Sequence, residues 1–106
     1  MTEAQLQNSA ADYLRLVGVN FHHSPNEGVH KIQYRVKQKR AGMLPGFPDL
    51  LLMFPSRPPH FIELKTAKGR LTKNQMNFQQ FCAENGYPFA VCRSLEDVQK
   101  IVEEWR

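Results

Sequence analysis

The sequence predicts an α/β domain in which helices pack on a mixed central β-sheet, and three observations carry that expectation. Short runs with strand character alternate with capped segments of helical period. One of these runs, Leu50 to Phe54, is apolar throughout, as suits a strand buried on both faces at the centre of a sheet. The 106 residues, 42% hydrophobic and 23% charged, contain no repeat, linker or low-complexity tract, so a single domain with one core is expected.

Taken in order, Thr2 and Gln5 have the form of a capping box and start a helix at Glu3. Leu6, Ala10, Leu14 and Val17 recur at helical spacing, and Gly18 ends the segment. Val19 to Ser24 reads as a short strand closed by the turn signal Ser24-Pro25-Asn26-Glu27-Gly28. Val29 to Gly42 fits two readings. Ile32, Tyr34 and Val36 alternate as in a strand, whereas Val29, Ile32 and Val36 also fit a helix; the basic residues gathering toward Gly42 suit a helix C-terminus and favour helix.

Asp49 then opens the strand Leu50 to Phe54, Pro55 to Pro59 turns the chain, and His60 to Lys65 returns as a hairpin partner. Thr66 to Leu71 is a basic loop. Thr72 with Gln75 repeats the capping box and starts a helix through Phe78, Phe81 and Cys82 to Asn85-Gly86. Phe89 to Cys92 forms another strand. Ser94 with Asp97 caps a last helix whose Leu95, Val98, Ile101, Val102 and Trp105 make one apolar stripe. The order is α-β-(α)-β-β-α-β-α.

The net charge of +4 and a pI near 9.3 suit a polyanionic partner without identifying one. Cys82 and Cys92 lie in apolar stretches and lack zinc-site spacing, so buried free thiols are expected. No apolar run nears the roughly 18 residues of a membrane span, and no signal peptide opens the chain. A cytoplasmic protein without a membrane partner or small-molecule cofactor is the expectation.

The chemistry lies in Gly46-Phe47-Pro48-Asp49-Leu50-Leu51-Leu52 and Phe61-Ile62-Glu63-Leu64-Lys65. Side chains two apart on a strand share a face, so Glu63 and Lys65 project together while Ile62 and Leu64 turn into the core. Two carboxylates and a backbone carbonyl suffice to bind Mg²⁺, which prefers oxygen ligands and keeps several waters. Asp49, Glu63 and the carbonyl of Leu64 are that set. Lys65 would orient or deprotonate an attacking water and offset charge in the transition state of phosphodiester hydrolysis.

Pro48-Asp49 followed by Glu63-Leu64-Lys65 resembles the PD-(D/E)XK nuclease pattern. Together with Asn26-Glu27-Gly28, Thr66 and Leu71-Thr72-Lys73-Asn74-Gln75, these blocks resemble the VRR-NUC (virus-type replication-repair nuclease) family over nearly the whole chain. The resemblance implies a restriction-endonuclease-like fold and Mg²⁺- or Mn²⁺-dependent DNA cleavage. Stand-alone members from phages and bacteria look like Holliday-junction resolvases acting as homodimers. By the same resemblance Asp49, Glu63 and Lys65 match the catalytic motif. Glu3 matches a first-helix acid supporting the metal, Gln75 a glutamine after the catalytic lysine, and Glu27 a supporting acid. Gln75 and Glu3 also fit structural roles, as a capping-box residue and as a first-turn acid.

Lys37, Lys39, Arg40, Lys68, Arg70 and Lys73 are expected to contact DNA phosphates, which give affinity without sequence information. His22, His23, His30 and His60 are read as surface or DNA-proximal residues, and the phenylalanines as packing rather than base stacking. The expected function is a metal-dependent endonuclease on branched DNA, with four-way junctions first among substrates. The rivals are a nuclease acting on flaps, ends or ordinary duplex, and a catalytically silent DNA-binding module.

Overall fold

The computed structural model describes residues 1–25 and 32–106; Glu27, its block Asn26-Glu27-Gly28 and the start of the Val29–Gly42 segment lie outside the described residues. The elements are α1 (Glu3–Val17), β1 (Asn20–His23), α2 (Ile32–Arg40), β2 (Leu50–Met53), β3 (His60–Leu64), α3 (Lys73–Asn85), β4 (Phe89–Cys92) and α4 (Leu95–Trp105). Capping chemistry sets most of the helix ends. Thr2 and Gln5 close a reciprocal box at α1, and Thr72 and Gln75 close another at α3. Ser94 Oγ accepts the Asp97 N–H at the start of α4. Gly18 and Gly86 end α1 and α3 in the left-handed conformation that glycine adopts without a Cβ penalty.

The strands form one mixed sheet in the order β1-β2-β3-β4, with β1/β2 and β2/β3 antiparallel and β3/β4 parallel through the α3 crossover. One face carries the main core: Leu50, Leu52, Ile62, Leu64 and Cys92 meet Leu6, Ala10 and Leu14 of α1 and Val98 and Val102 of α4. On the other face Phe61 packs with Phe78 and Cys82 of α3. All five residues of β3 are buried because both faces are covered there. Both cysteines are free and buried, and burial pushes both thiols up, Cys92 to about 12 with help from the Asp97 charge. No helix among the described residues is long and apolar enough to cross a membrane.

Three expectations change. β2 is covered fully on one face only: Leu50 and Leu52 are fully buried, while on the other face Leu51 is half-buried and Met53 is 45% exposed. His60 is not a surface residue. Its ring packs edge-on against Phe54 and Trp105, its Nδ1 lies 2.8 Å from the Pro58 carbonyl, and burial pushes its pKa down. Phe81 is not core packing, since it stays 49% exposed on the outer side of α3. The ambiguous segment is helical over Ile32–Arg40, and this helix packs against no other described helix or strand.

Candidate active site

The site begins with an approach between two backbones. Gly46 sits at φ +81°, and a Cβ there would lie 2.4 Å from the carbonyl carbon and oxygen of Asn74. Only glycine therefore lets the loop before β2 press against the first turn of α3. Phe47 follows and wedges edge-on between Phe61 and Phe78, with ring centroids 5.6 and 5.3 Å away. Pro48 is fully buried. The Gly-Phe-Pro run is thus a fixed arm that delivers Asp49 to the sheet.

Leu50 pairs with Ile62, so continuing the antiparallel register by one residue sets Asp49 opposite Glu63 on the same face. Asp49 is 6% exposed, and its Oδ2 accepts the Leu64 N–H at 2.8 Å. Glu63 is 1% exposed. Burial first, then the hydrogen bond and negative charge of Asp49, push the Glu63 carboxyl up to about 9; the Lys65 ammonium opposes this and Glu3 adds slightly to it. In the absence of a metal ion the Glu63 carboxyl therefore keeps its proton at neutral pH, facing Asp49.

Gln75 completes this pair from α3. Its Oε1 accepts the Thr72 N–H at 2.8 Å, while its Nε2 donates to Glu63 Oε2 at 3.2 Å. The two readings of Gln75 are therefore one geometry: the capping box orients the amide that holds Glu63. Lys65 leaves β3 with its N–H on the Cys92 carbonyl at 3.0 Å and is itself buried.

Glu3 lies across a cleft of about 430 Å³ that it lines with Ala4, Gln7, Asn8, His23, Asp49 and Leu64. The structure thus brings together Asp49, Glu63, Lys65, Gln75 and, at the rim, Glu3. Gln7 and Asn8 were absent from the sequence reading, and His23 was read there only as a surface or DNA-proximal residue. Gln7 stands one helical turn after Glu3, so helical period alone points to it; its buried Oε1 has no partner among the described residues. His23 Nδ1 is 3.1 Å from the Asp49 carbonyl, a contact that follows from the β1–β2 register.

The basic residues divide into two groups. Lys68, Arg70 and Lys73 are exposed on the segment that follows Lys65 and begins α3. Arg93 holds that loop: its Nη1 donates to the carbonyls of Thr66 at 2.8 Å and Gly69 at 2.6 Å. Gly69 in turn approaches the Lys65 side chain, where a Cβ would stand 3.5 Å from Lys65 Cδ. Nothing in the local sequence marks Arg93 for this role. Lys37, Lys39 and Arg40 are exposed on α2.

Among the described residues no three His, Cys, Asp or Glu side chains converge as a metal cluster. The donors that do converge suit a hard cation: two carboxylates whose mutual repulsion a divalent ion would relieve, beside Leu64, which lines the same cleft. All are oxygen donors, and the remaining positions of an octahedral ion are filled by water and substrate in such sites.

Comparison with known proteins agrees with this architecture. A solved structure described as a VRR_NUC domain protein superposes with a TM-score of 0.81 at 23% identity, covering 98% of this chain and 87% of that one. A second, described as a VRR_NUC domain, has a TM-score of 0.69 at 20% identity, with both chains fully covered. At these identities they establish the fold. A Fanconi-associated nuclease 1 homolog from Pseudomonas aeruginosa is 37% identical over 59 residues, 55% of this chain but 11% of that protein's length. The VRR-NUC domain family model matches residues 2–96. The chain belongs to the VRR-NUC domain family.

Proposed function

We propose that this chain is a nuclease that hydrolyses phosphodiester bonds in DNA using Mg²⁺ or Mn²⁺. The observation that carries the reading is the buried pair Asp49–Glu63, held by the Leu64 N–H and the Gln75 amide beside Lys65. A purely binding domain gains nothing from burying two acids against each other, an arrangement that burial and like charge both disfavour. Asp49, Glu63 and the Leu64 carbonyl would hold the metal, which when bound supplies Lewis acidity toward the phosphate and a more acidic water. Lys65 orients the attacking water and offsets the charge that builds on the phosphate. Gln75 fixes the rotamer of Glu63, and Glu3 tunes the cleft from α1. The family name and the similarity to a protein named as a nuclease homolog support the same reading.

Within this activity the substrate is branched DNA. The family resemblance points to four-way junctions cut by a homodimer, whose two-fold axis would present equivalent sites to paired strands. Lys68, Arg70 and Lys73 follow Lys65 on the segment that leads into α3 and would contact the cleaved strand's phosphates. A second reading, cleavage at flaps or splayed ends, is favoured by the furrow described below. Labelled four-way junction, flap and linear duplex, each incubated with Mg²⁺, Mn²⁺ and EDTA, separate these. Metal-dependent cutting of a branched substrate in preference to linear duplex is the expected result. No cutting with either metal sinks the enzyme, and equal cutting of linear duplex removes the branch preference.

Two further outcomes are expected at this site. Glu63 binds its proton more tightly folded than unfolded, so the metal-free protein loses stability as pH rises from the ordinary carboxylate range toward about 9. Glu63→Gln removes that loss, so its melting temperature should exceed that of the wild type increasingly from neutral to alkaline pH. Addition of Mg²⁺ to the wild type near neutral pH should release a proton, measurable by titration calorimetry in buffers of different ionisation enthalpy. A melting difference that shrinks with pH, or no proton release on Mg²⁺ binding, would contradict the assignment.

Gln75 allows a cleaner contrast. Gln75→Ala should cost about 1 kcal/mol through the lost cap and lower cleavage about tenfold or more. Gln75→Glu keeps the capping oxygen but brings a third carboxylate to Glu63, so it should match the wild type in stability at acidic pH yet still lose cleavage. Full activity in Gln75→Glu would reduce Gln75 to a cap.

A further inference from the structure

We propose that the furrow between α2 and α3 binds an unpaired DNA strand next to the cleavage site, with one base stacked on Phe81. The inference rests on the nuclease reading and deepens it by naming the form of DNA. Three adjoining clefts, each lined by both Pro45 and Asn74, make one continuous furrow. At one end it reaches Thr72 and Gln75, and Gln75 is hydrogen-bonded to Glu63. At the other it reaches Asn77, Phe78 and Phe81. Arg35 and Lys39 of α2 form the opposite wall.

The chemistry of this lining selects its occupant. Arg35 and Lys39 bring two positive charges, neither in an ion pair among the described residues, and no described carboxylate lines the furrow. That polarity suits a polyanion. Leu44 is 52% and Phe81 49% exposed, and the Phe81 ring is held from behind by Phe78 and Tyr87, with centroids 6.1 and 5.9 Å away. A fixed aromatic face beside cations is the arrangement that binds single strands, since every base has a π-face to stack. A base in an intact duplex is already stacked and gains nothing from Phe81. Asn74 and Asn77 add amides able to meet base edges or phosphates. The placement also explains why α2 carries four cations, Arg35, Lys37, Lys39 and Arg40, yet packs against no other described element: it serves as a wall.

The test is fluorescence anisotropy in EDTA, where no cleavage confuses binding, with labelled oligothymidylate, blunt duplex and polyglutamate as probes. Wild type should bind oligothymidylate. Phe81→Leu, which keeps the apolar volume but removes the ring face, should weaken that binding at least about fivefold while duplex affinity changes less than about twofold. The exposed double variant Arg35→Ala/Lys39→Ala should weaken it too and reduce the slope of log K against log salt by roughly 1.4, two single-strand phosphate contacts' worth. Wild-type affinity for oligothymidylate in both variants overturns the proposal, and so does preferential binding of polyglutamate. Because these readings need no metal, a wild type that cuts nothing in the substrate panel overturns the nuclease reading separately.

Discussion

Asp49→Asn is expected to reduce cleavage of branched DNA by more than about a hundredfold, since even residues behind a metal ligand typically cost about 10- to 100-fold when removed. The fold should survive the change. The asparagine Oδ1 can still accept the Leu64 N–H, and a neutral group opposite Glu63 lowers the cost of ionising that buried carboxyl as pH rises. The melting temperature of the metal-free variant should therefore stay near the wild-type value or rise. A second signature accompanies the loss of activity. With Asp49 neutral, the Glu63 carboxyl no longer has an anion holding its proton in place, so proton release on adding Mg²⁺ should shrink. Activity lost together with stability would mean that Asp49 serves the fold, whereas activity lost from a stable chain places it in the chemistry. Lys65→Ala should behave alike in activity, as it removes the only cation that acts on Glu63 in the described structure.

Gly46→Ala is expected to have the largest effect on stability of the alanine replacements at the described glycines, about 2 to 4 kcal/mol. Two penalties combine. Alanine resists the left-handed φ, and its Cβ would enter the backbone of Asn74 at 2.4 Å and of Gln75 at 2.8 Å. Neither neighbour can rotate aside, because both are main-chain atoms in the capped first turn of α3. A domain of this size should lose on the order of 10–20 °C in melting temperature. Gly18→Ala and Gly86→Ala provide the comparison: both share the positive φ, but nothing lies within 4 Å of an added Cβ. Each should cost only about 1 kcal/mol. Equal melting temperatures for the three variants would show that the loop does not press on α3. Because Gly46 joins the Asp49 arm to the Gln75 turn, its alanine variant should also lose cleavage beyond what its stability predicts.

The comparison of sequence with structure has a physical pattern. Helix ends were legible at Thr2, Thr72, Gly18 and Gly86 because caps are local: a hydroxyl three residues before the amide N–H it accepts, or a glycine at a left-handed turn. The acid pair was legible for a similar reason, since strand alternation and a hairpin register need only neighbouring residues. What escaped depends on distant surroundings. His60 is buried by Trp105 at the far end of the chain, and Phe81 is open because α3 turns that side outward. Arg93 reaches carbonyls more than twenty residues away. α2 resisted assignment because an element that packs on no strand or helix carries no apolar stripe to read.

The central claim is that Asp49 and Glu63 form an oxygen-donor centre through which this chain cuts DNA. The most direct measurement is the cleavage rate of end-labelled branched DNA across a titration of Mg²⁺, with wild type and Glu63→Gln side by side. The account predicts a rate that rises to saturation with metal for the wild type, vanishes in EDTA, and stays at background throughout for Glu63→Gln although that variant is the more heat-stable protein. Cleavage that persists in EDTA, or a Glu63→Gln variant that cuts at the wild-type rate, would contradict it.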